Sequence, residues 1–523
     1  MRLIGAQKEI VILCSLVALS VAVLTLGSLL AVFLKSDSSF ALGENDIRII
    51  KFTIWQAFLS ALVSCLLAIP VARAFARRNF IFKNMILSFL GAPFILPVII
   101  AVISFIMIFG NSGLINKFLI ILGFPKISVY GLHGIVLVNA FFNMPLAIRL
   151  ILNGWLSIPA ERFRLSAQLN LSGWAFFRLV ELPMLKIVFP GIFMVIFVIC
   201  LSSFVVALSL GGGPKSTTIE LAIFQAFRLD FDLGRACFLA LIQFGICSLA
   251  ILFSNALPSP KPFAPTLDSI VKRWDNVTLG SKVTDFTSIL VTMLFVSLPI
   301  IAILAMGIIR LPQISSQIWE PTAISIGMAL FSSLTATISA FCLGYATVKF
   351  RVFFQQSYEF IGYFSISFSP LLLGTGLFIL ILPFSNPNEV ALGIITIVNA
   401  LMAMPFVMRI LLPPLRQVID DFGKLSQNLG LSDWQFIKLV IVPKLSQPIG
   451  FSLGLSAAIS VGDFGVIALF SLSDKATLPM ALYSLMGAYR MEEAAAVAVI
   501  LLMVTFGLFF ISDLGGRYFA KSD

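Results

Sequence analysis

The chain has 523 residues, of which 59% are hydrophobic and 11% charged, with a mean hydropathy of +1.05. That much apolar surface does not fit inside a water-soluble core, so lipid is the solvent for most of the chain. The net charge of +11 is spread over short loops, which reads as a membrane-topology signal and gives no support to nucleic-acid binding.

Apolar stretches near the ~20 residues that cross a bilayer recur along the chain. They fall at about 10–34, 53–76, 85–109, 131–155, 187–210, 236–257, 286–309, 322–346, 358–382, 390–413, 447–470 and 494–513. Twelve spans place both termini on one side. The first stretch follows Arg2 and Lys8, is too long for the apolar core of a signal peptide and has no small-residue cleavage site behind it, so it is expected to remain as a helix. With both ends cytoplasmic, 24 of the 35 lysines and arginines fall on that face, including Arg73, Arg77, Arg78, Lys83, Lys261, Lys272, Arg273, Lys349 and Arg351. This satisfies the positive-inside rule.

Cys14, Cys65, Cys200, Cys237, Cys247 and Cys342 lie in or beside apolar spans without a CxxC pair, and His133 is the only histidine. The cysteines read as packing residues and His133 as an ordinary residue at a helix start, so neither a metal site nor a Ser-His-Asp triad has material. No cofactor is expected.

After the fourth span, Ile158, Pro159 and Ala160 end the helix, and a basic amphipathic segment runs to Pro183. At helical spacing Leu165, Leu169 and Phe176 share a face, with Arg164 and Arg178 turned away from it. Asn170 sits where a helix must stop or bend, because asparagine tolerates the left-handed conformation. The expected result is a short helix, a turn and a second short helix.

Leu210 to Thr218, LGGGPKSTT, invites comparison with the phosphate-binding loop GxxxxGK[ST]. Pro214 stands before Lys215 where that loop needs glycine, no strand precedes it, and the topology puts it on the face without ATP. Gly211, Gly212 and Gly213 instead predict an irregular turn, either a plain connection or part of a gate, followed by an amphipathic helix over 217–227. The polar segment 258–284, proline-rich at its start, separates a first half (1–257) from a second (285–523).

Shifted by 260 residues, the chain matches itself. Arg164 to Pro183 reads RLSAQLNLSGWAFFRLVELP and Lys424 to Pro443 reads KLSQNLGLSDWQFIKLVIVP, with ten of twenty positions identical. The same shift pairs Asn139, Ala140, Met144, Pro145 and Arg149 with Asn399, Ala400, Met404, Pro405 and Arg409. An even number of spans separates the copies, so the halves are parallel repeats about an axis along the membrane normal.

The two segments, 160–183 and 420–443, resemble the cytoplasmic loop of permeases from binding-protein-dependent ATP-driven (ABC) importers, with its pattern E-A-A, three residues, G, nine residues, I, one residue, L-P. Gly430 to Pro443 and Asn170 to Pro183 keep the glycine-to-proline spacing, with Val180 and Val440 at the isoleucine position and Leu182 and Val442 at the leucine position. Arg164 and Lys424 replace the acidic residue, Leu165, Ser166, Leu425 and Ser426 the alanines, and Asn170 the first glycine. The resemblance implies an all-α membrane protein of the type I importer-permease (MetI-like) fold, two six-helix halves, not itself an enzyme. It further implies that these loops dock on an ATPase subunit through Leu169, Trp174, Leu429 and Trp434, and that the partners are two cytoplasmic ATP-binding subunits and a periplasmic binding protein in a two-membrane bacterium. The alternative readings are that the loops rest on lipid headgroups, or that the chain is an ion-coupled secondary transporter.

SLGGGPKSTTIELAIFQAFRLDFDLGRA and GDFGVIALFSLSDKATLPMALYSLMGAYR are similar to the corresponding regions of thiamine importer permeases. This implies thiamine, or its phosphate esters, as cargo, with ferric iron or another small solute as the alternative.

Asp463, inside the eleventh span, aligns with Ser203 in the fifth. An intramembrane acid is costly and faces a cavity or a partner, so Asp463 either lines the pathway or gate, where it would favour a cationic passenger, or caps a kink beside Gly462 and Gly465. Glu220, Asp230, Asp232, Glu492 and Glu493 are read as solvated charges of the outer loops in preference to a binding-protein contact.

Overall fold

The computed structural model describes residues 2–36, 42–171, 173–211, 213–256, 279–349, 352–386, 389–470 and 476–521. In chain order the helices are α1 (Arg2–Lys35), α2 (Glu44–Arg77), α3 (Lys83–Phe89), α4 (Ala92–Ile95), α5 (Val98–Phe109), α6 (Leu114–Ile121), α7 (Leu132–Leu156), α8 (Ala160–Gln168), α9 (Gly173–Phe176), α10 (Leu182–Leu201), α11 (Phe204–Leu210), α12 (Ile219–Arg228) and α13 (Leu233–Ala256). The second half holds α14 (Leu279–Arg310), α15 (Trp319–Lys349), α16 (Val352–Phe364), α17 (Pro370–Ile381), α18 (Ala391–Asn428), α19 (Asp433–Phe436), α20 (Val442–Lys444), α21 (Ser446–Gly462), α22 (Gly465–Leu469), α23 (Leu478–Gly487) and α24 (Met491–Lys521). No strand occurs among the described residues. Among the described residues eleven helical stretches are long and apolar enough to cross a membrane, and the bent pair α16–α17, taken as one span, makes a twelfth. The architecture is the all-α type I permease fold, as suits a solvent in which helices satisfy most backbone groups internally.

Several expected spans are interrupted. The stretch at 85–109 is α3, α4 and α5, and the one at 358–382 bends by 101°. Both break at a proline. Leu96, before Pro97, has ψ 127°, and Ser369, before Pro370, has ψ 148°, because a residue preceding proline is excluded from the helical region. The fifth span begins earlier than expected, at Gly173, and stops at Leu201. Its eleventh-span counterpart is divided at 463–464 into α21 and α22. Of the 258–284 linker, residues 258–278 lie outside the described residues and 279–284 are already helical in α14.

The repeats interlock. α1 packs against α17 and α15 of the second half, and α14 packs against α5 and α2 of the first, while each also touches the last long helix of its own half, α13 and α24 respectively. Gly376 lets α17 approach α1 closely, since a Cβ there would lie 2.6 Å from the Ser28 Cβ. Beside the other crossing, Arg78 Nε donates to Asp285 Oδ2 at 2.7 Å, Arg77 pairs with the same carboxylate, and Arg78 Nη2 donates to Ser281 Oγ at 3.0 Å. All six cysteines are buried and free, as packing residues should be.

Candidate functional site

Two features stand out, a pair of exposed turns at repeat-related positions and a partly open cavity where the halves meet. In the first turn α8 ends with Leu171 N donating to Ser166 O and Asn170 N donating to Ala167 O. In the second, Leu431 N donates to Ser426 O and Gly430 N to Gln427 O. Asn170 has φ +50° and Gly430 φ +66°, the left-handed closure expected of these residues. Ser432 then opens α19 with a capping box, its Oγ accepting from Gln435 N and its N donating to Gln435 Oε1.

Beyond each turn the chain does not form the expected separate second helix. α9 and α19 each run into a π-helical turn, Phe177–Glu181 and Ile437–Ile441, and so into the next span. π-turns of this kind concentrate at functional places. Pro183 and Pro443 are the second residues of α10 and α20, directly after the π-turns. The expected common face also divides. Phe176 and Phe436 are fully buried, whereas Leu165, Leu169, Leu425 and Leu429 are exposed, as are Trp174 (72%) and Trp434 (62%). Arg164 and Lys424 lie on the exposed side of the same segments. The aromatic and leucine side chains form an apolar projection on each turn that the chain itself does not cover.

The cavity, of about 320 Å³, lies where α10 breaks before α11 and α21 breaks before α22. Ser203 and Asp463 occupy the two breaks and both line it. Ser203 Oγ donates to Cys200 O at 3.0 Å. Asp463 Oδ1 accepts from Gly465 N at 3.2 Å, so the residue caps the kink and also borders the cavity, and its Oδ2 is buried without a hydrogen-bond partner. Phe204 and Phe464, the next residues of the two repeats, stack across the halves with ring centroids 6.4 Å apart and planes 14° from parallel. Asn139 and Asn399, another repeat pair, line the cavity too.

Gly211 and Gly213 do not line it. Gly211 is buried at the end of α11, Gly213 forms the turn with φ +130°, and Gly212 lies outside the described residues. The helix beyond is as expected, with Thr218 Oγ1 accepting from Leu221 N at its start.

Glu220 is the correction. It is buried to 1% exposure, lines the cavity, and its Oε1 has no hydrogen-bond partner. The sequence carried the signal, because Glu220, Ile223 and Phe227 recur at i, i+3 and i+7 and all fall on the buried stripe of α12. α12 lies outside the spanning segments. Burial pushes the Glu220 carboxyl up to about 8, against the opposing pull of Ser369, the Phe204 N–H and Ser202. The other outer acids behave differently. Asp230 is exposed, Asp232 accepts from Arg235 N, Glu492 pairs with Arg310, and Glu493 pairs with Arg490.

A larger cavity of about 780 Å³ lies between α2, α7 and α14, but its wall is almost wholly apolar and carries no carboxylate. It offers acyl chains a surface and a charged solute none.

No protein-family model matches the sequence. Individual relatives do. The thiamine transport system permease protein ThiP of Salmonella typhimurium is 38% identical over 487 residues, covering 91% of this chain and 90% of the relative. The protein of the same description from Escherichia coli is 36% identical over 481 residues, covering 90% and 89%. That from Haemophilus influenzae is 34% identical over 466 residues, covering 87% and 86%.

Proposed function

The chain belongs to the thiamine transport permease family, and on that premise we propose that it is the membrane subunit through which an ATP-driven, binding-protein-dependent importer passes thiamine across a bacterial inner membrane. It is a transport subunit and not an enzyme. Hydrolysis of ATP belongs to a separate partner, and delivery of cargo to a binding protein on the opposite face.

The coupling role rests on one observation, the two uncovered apolar projections at repeat-related turns, with Trp174 on one and Trp434 on the other. Large aromatic side chains left exposed on a rigid turn are the kind of anchor that dominates protein interfaces. Two such turns ask for two copies of one ATPase, each taking Leu169 and Trp174 or Leu429 and Trp434 into a groove. Both are continuous with the following span through a π-turn, so a push on either reaches the α10 and α21 breaks beside the cavity.

With its ATPase and a thiamine-binding protein in proteoliposomes, the chain should accumulate labelled thiamine only when ATP is on the ATPase side and the binding protein on the other. Uptake driven by an ion gradient without the ATPase would overturn the reading. ATPase stimulation by a binding protein loaded with another solute, with no thiamine uptake, would replace the cargo.

A further inference from the structure

The cavity at the paired helix breaks has features that the fold does not require. Buried carboxylates are costly without a partner, and a fold under selection for stability alone replaces them with apolar groups. Here two enter one small space from different halves. Glu220 comes from α12 and Asp463 from the α21–α22 break, and each keeps one oxygen buried and unpartnered. No Lys, Arg or His lines the cavity among the described residues. No described side chain supplies a positive charge to the two acids there. Beside the acids lie the rings of Phe204 and Phe464, stacked on one another and packed against Phe224 and Tyr483, and aromatic rings at a cavity wall attract cations electrostatically.

Resting on the functional reading above, we propose that this cavity is a binding site within the permease for a cationic heteroaromatic ring, the thiazolium of thiamine, with Glu220 and Asp463 as its counter-charges and Phe204 and Phe464 as its walls. The ring charge of the passenger supplies the counter-charge to the two acids. The raised Glu220 carboxyl fits this exchange, since an entering cation takes the place of a proton. The site is asymmetric, because the repeat offers Ser203 where it offers Asp463, and α23, placed like α12, has no charged residue. A single asymmetric cation thus has one preferred orientation between two otherwise similar halves.

The test is equilibrium binding of labelled thiamine to the permease–ATPase complex in lipid nanodiscs without the binding protein, in competition with deazathiamine, the thiophene isostere that lacks the ring charge. In the native protein thiamine should bind at least about tenfold more tightly than deazathiamine. Glu220→Gln and Asp463→Asn, which preserve shape, should each remove most of that preference while affinity for deazathiamine stays within about twofold, an outcome that misfolding does not produce. Equal binding of the two compounds by the native protein, or an undiminished preference in both variants, would overturn the site. Native binding of the cation with no ATP-driven uptake in the complete system would instead overturn the importer reading and leave the site standing.

Discussion

Arg73 Nε lies 2.7 Å from Glu181 Oε2, and Trp155 Nε1 donates to the other oxygen of that carboxylate at 3.3 Å. Glu181 is fully buried within the π-turn, so α2, α7 and the segment 160–183 meet at one carboxyl group. In the second half Lys349 Nζ, at the end of α15, lies 3.1 Å from Asp433 Oδ1 in α19. The two halves tie the segments 160–183 and 420–443 to corresponding long helices by different residues of the repeat.

Glu181→Ala should destabilise the protein. Breaking a fully buried pair costs about 3–5 kcal/mol, and the partial exposure of Arg73 lowers the expectation to about 2 kcal/mol. The thermal-unfolding midpoint should fall for Glu181→Ala and fall less for Glu181→Gln, which keeps an acceptor for Trp155. Identical midpoints in the three proteins would show that the pair holds nothing.

Trp174→Ala and Trp434→Ala should each weaken association with the ATPase by about 2 kcal/mol, or roughly 30-fold, the scale of an interface anchor. Membrane insertion and the unfolding midpoint should stay as they are, since neither ring is in the core. Pull-down of the ATPase by the double variant reads the combined effect; full retention would remove these residues from the interface.

The two turns should respond differently to substitution at their left-handed positions. Gly430→Val forces a β-branched residue to φ +66° and should cost about 1–2 kcal/mol, with loss of ATP-coupled uptake. Asn170→Gly at φ +50° should be neutral within a few tenths of a kcal/mol. Measured uptake and unfolding midpoints for this pair decide the matter, and a damaging Asn170→Gly would mean the asparagine side chain has a role beyond the turn.

Gly376→Leu should separate α1 from α17. With the Ser28 Cβ only 2.6 Å from where a Cβ would stand, overpacking should cost about 1–3 kcal/mol or more, seen as a lower unfolding midpoint and a smaller monodisperse fraction in detergent. A normal profile would place the two helices further apart than described.

Much of the geometry of the two exposed turns is legible in the sequence because its signals are local. Asn170 and Gly430 announce their turns through backbone preference alone, and the 260-residue match announces that there are two. The continuation of α18 to Asn428 departs from the expected helix–turn plan, and its cause is a single residue. Pro159 keeps Ile158 out of the helical region, whereas Ile419 stands at the repeat position of Pro159 and the helix runs on, even with Pro405, Pro413 and Pro414 inside it. The broken spans at Pro97 and Pro370 are hidden for the opposite reason, since hydropathy averages over a proline without registering the bend. Asp463 stands opposite Ser203 as the repeat requires, and its two open roles are compatible, with one oxygen capping the kink and the residue bordering the cavity.

The sequence by itself determined the solvent, the topology, the repeat, the two left-handed turns and the family resemblance, since each depends on composition, spacing or the conformational range of single residues. Only the tertiary structure decided that the first helices of the halves are exchanged, that the helix breaks enclose a cavity, and that Glu220 is buried there while Asp230 stays in solvent. Those outcomes depend on which surfaces meet across long stretches of chain, and a carboxylate on an amphipathic helix reads the same from sequence whether the neighbouring surface is water or another helix.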